Sequence, residues 1–349
     1  MIGISLLTYV PGRHGGSETA TREILRAFAR GGTLPYRVYL PPAAPEAAEG
    51  LPSELVPEYR LASSLPERLA AMTAATLHPG PLKRHFAAAD VVHYPFTIRL
   101  PAVAAPSVVT LQDLQHLDLP ELFSPGERAF RALAYHRSAR SATRLVVPSA
   151  FTRGRTVTLL GVDPERIRVI PYGIDHARFT PGDDEREPFL LYPARPWPHK
   201  NHARLLEAFA ILRSERPELR LVLTGGGHSG DGPAGVEVRG HVDADELVSL
   251  YRRAAAVVFP SRYEGFGQPP LEAMACGCPV ACSAIPPLLE VCGEAARTFD
   301  PDDPEAMAAA VREVLDDPER WRALGLERAA GFTWERTARD YEAVYRELL

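Results

Sequence analysis

Short apolar, β-branched runs separated by helix-length segments occur in two successive series along the chain, and this alternation restricts the architecture more than any other feature. The first series is IGISLLTY (2–9), YRVYL (36–40), DVVHY (90–94), SVVTL (107–111) and RLVVP (144–148). The second is FLLYPA (189–194), LRLVLTG (219–225), VEVRG (236–240), AVVFP (256–260) and CPVACS (278–283). Strands alternating with helices build parallel sheets covered on both faces, which is why such strands read as continuous apolar runs. The expected fold is α/β, with two Rossmann-like, doubly wound parallel-sheet domains. The 349 residues suffice for two compact domains at roughly 100 to 200 residues each.

Between the series lies DHARFTPGDDEREP (175–188), polar and punctuated by Pro181, Gly182 and Pro188, which is linker composition. The boundary is expected within 176–187, giving an N-terminal domain of residues 1–178 and a C-terminal domain of 179–332. Residues 333–349 carry Trp334, Ala338, Tyr341 and Tyr345 at helical spacing, and are read as a terminal helix packing back across the domains. Ligands of doubly wound sheets bind beyond the C-terminal ends of the strands. Two such domains would face a cleft, with the functional residues on loops that follow strands.

Composition removes several functions. A net charge of -5 leaves no global basic field, so nucleic acid is not an expected partner. The opening MIGISLLTYVPG has no positive flank and breaks at Pro11 and Gly12, too short for a signal peptide or a span, so a cytoplasmic protein is expected. Cys276, Cys278, Cys282 and Cys292 lie in one short stretch without a matching histidine pair, which favours buried free thiols over zinc.

Three segments of the second half carry chemistry. SRYEGFGQPPLEAMACGCPV (261–280) follows a strand and opens a helix whose early N–H groups, with Gly265, Phe266 and Gly267, suit a diphosphate or sugar hydroxyls. Glu264 precedes this loop, and Glu272 is read as either an acceptor for vicinal ribose hydroxyls or a first-turn acid favouring the helix dipole. In ARPWPHKNHARLLEAF (194–209), Arg195 and Lys200 can converge on phosphate oxygens, or can serve structural ion pairs. TGGGHSGDG (224–232) offers Gly225 and Gly226 for close backbone approach but lacks the Lys and Ser/Thr of a P-loop; a tight turn would explain it equally. Asp243 and Asp245 in DADE invite a metal reading, but Asp243 followed by Glu246, Leu247 and Leu250 reads as a helix cap, and no metal is expected. DPDDP (300–304) reads the same way, as a turn and helix start.

In order and at these separations, EGFGQPPLEAMACGCPV, PARPWPHKN, VLTGGG, GHVDADELVSLYRRA and VIPYGID resemble the large retaining glycosyltransferase family four, which has the two-Rossmann GT-B fold. The resemblance covers nearly the whole chain. It implies that Arg195 and Lys200 hold a donor diphosphate and Glu272 the ribose. Glu264 with the backbone of Gly265, Phe266 and Gly267 would hold the transferred sugar, and His241 and Val242 would lie beside the base. It further implies retention at the anomeric carbon with no metal or other cofactor. The donor expected first is GDP-mannose, with UDP- and dTDP-sugars open. The acceptor is a saccharide, a lipid-linked intermediate or a small natural product.

The first half supplies the acceptor side in this reading. Gly15 and Gly16 precede a helix, with Ser17 as a fair N-cap and Gly31 as a stop; the resembling enzymes use such a loop beside donor phosphates and acceptor. After SVVTL, family members commonly carry His then Asp, whereas this chain has Gln112 then Asp113. Gln112 can hydrogen-bond but cannot titrate, so either His116 substitutes or no imidazole is needed. Asp113 is a candidate for ordering the acceptor hydroxyl or an ordinary loop residue. His93 is read as lining the cleft or as a satisfied core histidine. RLAAMTAATLHPGPLKRHFAA (68–88) could give peripheral contact with the inner membrane face, against an ordinary helix and loop. A nucleotide-sugar epimerase and a non-catalytic partner subunit are the competing functions.

Overall fold

The computed structural model describes residues 1–12, 15–59, 65–228, 230 and 232–349. Arg13 and His14 of the first glycine loop, and Ser229 and Asp231 of TGGGHSGDG, lie outside the described residues, as does the side chain of Arg68. The chain divides into two compact units, Met1–Gly173 with Trp334–Leu349, and Ile174–Thr333. The division thus falls ahead of the Pro/Gly-rich segment, and the terminal helix counts with the first unit. The reason is local: the Ile174 N–H donates to Phe332 O at 3.2 Å, and Ile174 pairs with Thr333 in an isolated parallel bridge, so the first and last residues of the second unit are tied to each other.

The first unit is built on strands β1 (Ile2–Ser5), β2 (Tyr36–Leu40), β3 (Ser53–Leu55), β4 (Val91–Tyr94), β5 (Ser107–Thr110), β6 (Arg144–Val147) and β7 (Ile167–Val169). They pair in parallel in the order β3-β2-β1-β4-β5-β6-β7. The second unit has β8 (Glu187–Pro193), β9 (Arg220–Thr224), β10 (Val236–Gly240), β11 (Ala254–Phe259), β12 (Val280–Ser283) and β13 (Arg297–Phe299), parallel in the order β10-β9-β8-β11-β12-β13. Each sheet is wound outward from its first strand and then resumes on the other side. The strand order therefore reverses between β1 and β4 and between β8 and β11, where successive loops splay apart and leave a crevice.

Nine of the ten runs read from the sequence are inner strands, and the tenth, VEVRG, is the edge strand β10. The other three edges, β3, β7 and β13, are three residues long and partly exposed, so they lack the apolar run that marks a buried strand. Val257, Val258 and Phe259 of β11 are fully buried, and each such side chain contributes about 1.5–3 kcal/mol.

Helix Trp334–Arg346 buries Trp334, Ala338, Tyr341 and Tyr345, the residues that its spacing marked. Its anchor is Glu342, whose carboxylate accepts from the Thr33 N–H at 2.6 Å, the Thr33 hydroxyl at 2.5 Å and the Tyr36 hydroxyl at 2.6 Å. Burial opposes the charge, but these bonds and Arg346 outweigh it and hold the carboxyl down at about 2.

Candidate active site

In the second unit the loops after β8 and β11 flank the crevice at the reversal of strand order. Between Arg195 and Lys200 the backbone folds tightly: the Trp197 N–H donates to Arg195 O at 2.7 Å, and the Lys200 N–H to Trp197 O at 2.8 Å. Asn201 then adopts a left-handed conformation, φ 61°, which asparagine tolerates better than most residues. Its buried amide donates to Pro260 O at 3.1 Å and Pro301 O at 2.6 Å, tying the loop to the end of β11. The Tyr192 hydroxyl donates to Lys200 O at 2.6 Å.

So braced, Lys200 reaches across and donates to Glu264 Oε1 at 2.5 Å. Both side chains are largely enclosed, 14% and 13% exposed, and the Lys200 ammonium lies 5.3 Å from the centroid of the Phe259 ring. His199, beside them, is held neutral at about 4 by burial and by the Lys200 charge. Arg195 is exposed, and among the described residues no carboxylate pairs with it. Its guanidinium carbon sits 5.6 Å from the centroid of the Trp197 ring.

Gly225, directly after β9, lies against this loop at φ 123°. A Cβ there would lie 2.7 Å from the carbonyl carbon of Ala194 and 2.9 Å from the Arg195 nitrogen, so only glycine lets the two backbones approach. The Gly225 N–H donates to Gly240 O at 2.6 Å, placing Gly226 on one side and exposed His241 with half-buried Val242 on the other.

Helix Gln268–Ala275 starts from Gly267, left-handed at φ 103°, where a Cβ would collide with Leu288. Phe266 is buried and meets the Phe332 ring edge-on at 6.2 Å. Pro269 and Pro270 stiffen the first turn but carry no N–H, so of the four positions at the helix start that lack an intrahelical partner only Gly267 and Gln268 have a donor to offer. Glu272 stands beyond the first turn, which removes its helix-dipole reading. Burial raises its carboxyl to about 7, partly offset by the Tyr251 hydroxyl that donates to it at 3.2 Å.

Asp243 accepts the Glu246 N–H at 2.8 Å and Asp303 those of Glu305 and Ala306, so both are helix caps. All four cysteines are buried free thiols.

In the first unit, the Gly12 N–H and the Tyr9 hydroxyl both donate to Glu18, at 2.9 and 2.7 Å, and Tyr9 stacks on Phe96 at 5.2 Å. The loop after β1 is thereby joined to the one after β4. Gly15 caps helix Gly16–Gly31 in a conformation with positive φ; Ser17 lies inside the helix and is not its cap, because the turn is made by the glycine backbone.

Three expected acceptor-side residues serve the scaffold. His93 is a satisfied core histidine: its Nε2 is 2.8 Å from Thr110 Oγ1, the Tyr345 hydroxyl is 2.8 Å from Nδ1, and burial lowers it to about 3. His116 is also buried and does not stand in for a surface imidazole; its Nε2 is 2.8 Å from His136 Nε2, and burial, with Arg131 and His136, lowers it to about 4. Gln112 accepts from the Tyr172 hydroxyl through Oε1 and donates through Nε2 to Pro95 O at 3.3 Å, so its amide braces the end of the first unit. Asp113 accepts the Gln115 N–H at 3.1 Å and is half-buried.

Sequence reasoning did not single out Trp197, Asn201, Tyr192 or Tyr251. An asparagine just ahead of a helix, or a tryptophan between two prolines, were the available signals.

Two doubly wound units of this kind are the GT-B architecture. Residues 174–328 match the family described as "Glycosyl transferases group 1", and residues 14–178 match "Glycosyltransferase Family 4". The chain is 30% identical over 273 residues to O-antigen chain mannosyltransferase B of Escherichia coli, covering 70% of this chain and 71% of that protein. It is 32% identical over 338 residues to the D-inositol 3-phosphate glycosyltransferase of Kineococcus radiotolerans, covering 81% and 77%. Sucrose-phosphate synthase from Thermosynechococcus elongatus superposes with a TM-score of 0.80 at 22% identity, over 99% of this chain and 98% of that one. The chain belongs to glycosyltransferase family 4, and it is a transferase that uses a nucleotide-sugar donor. That membership sets the epimerase alternative aside. No helix among the described residues is long and apolar enough to cross a membrane.

Proposed function

We propose that the enzyme transfers a hexosyl group, mannosyl from GDP-mannose first among the candidates, to a saccharide, lipid-linked or small-molecule acceptor with retention at the anomeric carbon. The observation that carries this reading is the Lys200–Glu264 contact beside an Arg195 that no described carboxylate neutralises. A cation in reach of a leaving diphosphate and a carboxylate in reach of its sugar are the two parts that the chemistry requires.

Arg195 and Lys200, with the start of helix Gln268–Ala275, stabilise charge that develops on the departing diphosphate, and such preorganised stabilisation contributes most of the rate. The acceptor attacks from the face the diphosphate leaves. A diphosphate oxygen takes the acceptor's proton as the new bond forms, so no metal or cofactor participates. Glu264 positions the sugar and is not a covalent nucleophile. Glu272 accepts from the ribose, His241 and Val242 flank the base, and Asp113 orders the acceptor hydroxyl. Similarity to a mannosyltransferase supports the choice of mannose. The reaction is assigned to the cytoplasm, with peripheral contact at the inner membrane face through 68–88, where Leu69, Leu77, Lys83 and Arg84 are exposed.

The test is transfer from GDP-mannose, UDP-glucose and dTDP-glucose to a panel of acceptors, with and without EDTA, and the product anomer assigned by NMR. An α-linked mannoside formed equally with EDTA supports the proposal. A β-linked product, a glycosyl adduct on Glu264 or full inhibition by EDTA would overturn it.

A further inference from the structure

We propose that Trp197 is a positioning residue for Arg195: the indole, in place of a carboxylate, fixes the guanidinium that meets the donor diphosphate. This rests on the donor-site reading above. Trp197 is 48% exposed, whereas Trp321 and Trp334 are 7% and 1% exposed. An exposed indole is ordinarily loosely held, but this one stands between Pro196 and Pro198, and its own N–H and C=O close turns with Arg195 and Lys200. Proline fixes φ and reduces the freedom of the unfolded chain, so the loop is rigid while exposed.

The guanidinium carbon lies 5.6 Å from the indole centroid, within cation–π range. Other arginines of this unit have their N–H groups engaged, Arg220 and Arg253 by Glu187, Arg239 by Glu237 and Arg262 by Asp302, and Arg186 and Arg252 by main-chain oxygens. An acid at Arg195 would orient it equally well but would occupy its N–H fork and compete with phosphate. An aromatic face restrains the plane and leaves the in-plane donors available for bidentate contact. The neighbouring His199 ring, 5.7 Å from the indole, is uncharged near pH 7 and adds no repulsion.

The experiment is calorimetric titration of the full chain with GDP and UDP, using Trp197→Ala, Trp197→Phe, Arg195→Ala and the Arg195→Ala/Trp197→Ala double variant. Because Trp197 is exposed, the variants should keep the wild-type melting temperature. For the nucleotide that binds, Trp197→Ala should weaken affinity about three- to tenfold. Trp197→Phe should restore most of the loss, and Trp197→Ala should cost nothing further when Arg195 is already alanine. Additive losses in the double variant would overturn the proposal, showing that the indole touches ligand independently of Arg195. No loss in Trp197→Ala beside a clear loss in Arg195→Ala would overturn it while leaving the donor site in place. No loss in Arg195→Ala would overturn both.

Discussion

Lys200 donates its ammonium to the Glu264 carboxylate at 2.5 Å, although 64 residues separate them in sequence. Topology makes the contact possible: β8 and β11 are adjacent parallel strands between which the chain makes the β9 and β10 excursion, so the loops leaving their C-terminal ends flank one crevice, which the two side chains bridge.

If the pair acts as one unit, its members are not independent. Glu264→Gln and Lys200→Ala should each lower kcat/KM by about 10² to 10³. The double variant should lose much less than the product of the two. Steady-state kinetics on all three checks this, and full multiplicativity would show that the two residues act separately.

Glu272 sets a pH dependence. Its folded pKa, about 7, lies above the ~4.3 of a free glutamate, so the native state binds the proton more tightly and loses stability as pH rises across that window. Glu272→Gln has no such titration. Its melting temperature minus that of the wild type should therefore be more positive at pH 8 than at pH 4.5. If the ionised carboxylate accepts from the ribose, wild-type donor affinity should also rise through pH 7, by up to about tenfold per unit below it. A flat difference in melting temperature would contradict the enclosed carboxyl.

The opposite sign applies to Glu342. Its pKa is depressed to about 2, so its stabilising contribution is complete above the unfolded value of ~4.3 and is lost as pH falls through about 2. Replacing Glu342 by alanine leaves Thr33 and Tyr36 without their acceptor and should cost about 2–4 kcal/mol. Urea unfolding at pH 7 measures it; a change under about 0.5 kcal/mol, the range of surface substitutions, would contradict the anchor.

Gly225→Ala should keep the fold and damage donor binding. The added Cβ meets main-chain atoms of Ala194 and Arg195, which cannot rotate away as a side chain can, so the loop bearing Arg195 must shift. A loss of about tenfold or more in nucleotide affinity with little change in the circular dichroism spectrum is expected. Wild-type affinity would show that the loop position does not matter.

The inner strands were legible because burial on both faces writes a continuous apolar run, as in AVVFP and SVVTL. Short edge strands such as Ser53–Leu55 write no such run. By type and position Arg195, Lys200 and Glu272 read equally as structural residues, and only the family resemblance singles them out with Glu264 as a donor site; the Lys200–Glu264 contact depends on the reversal of strand order, which spacing does not encode. His93 and His116 show the limit from the other side. A polar residue at a strand end or in a loop reads as accessible, but partners distant in sequence, Tyr345 for His93 and His136 for His116, take both into the core. Gln112 drew notice for lacking an imidazole, and its amide instead holds Tyr172 and Pro95.

The most direct test of the central claim, that the second unit's Arg195, Lys200, Glu264 and Glu272 form the donor site, is calorimetric titration of GDP-mannose, UDP-glucose and dTDP-glucose into the full chain and its Arg195→Ala, Lys200→Ala and Glu272→Ala variants. The account predicts that one nucleotide class binds the wild type and that each substitution weakens it about tenfold or more without lowering the ligand-free melting temperature by more than a few degrees. Binding that all three variants retain unchanged would place the donor elsewhere and contradict the account.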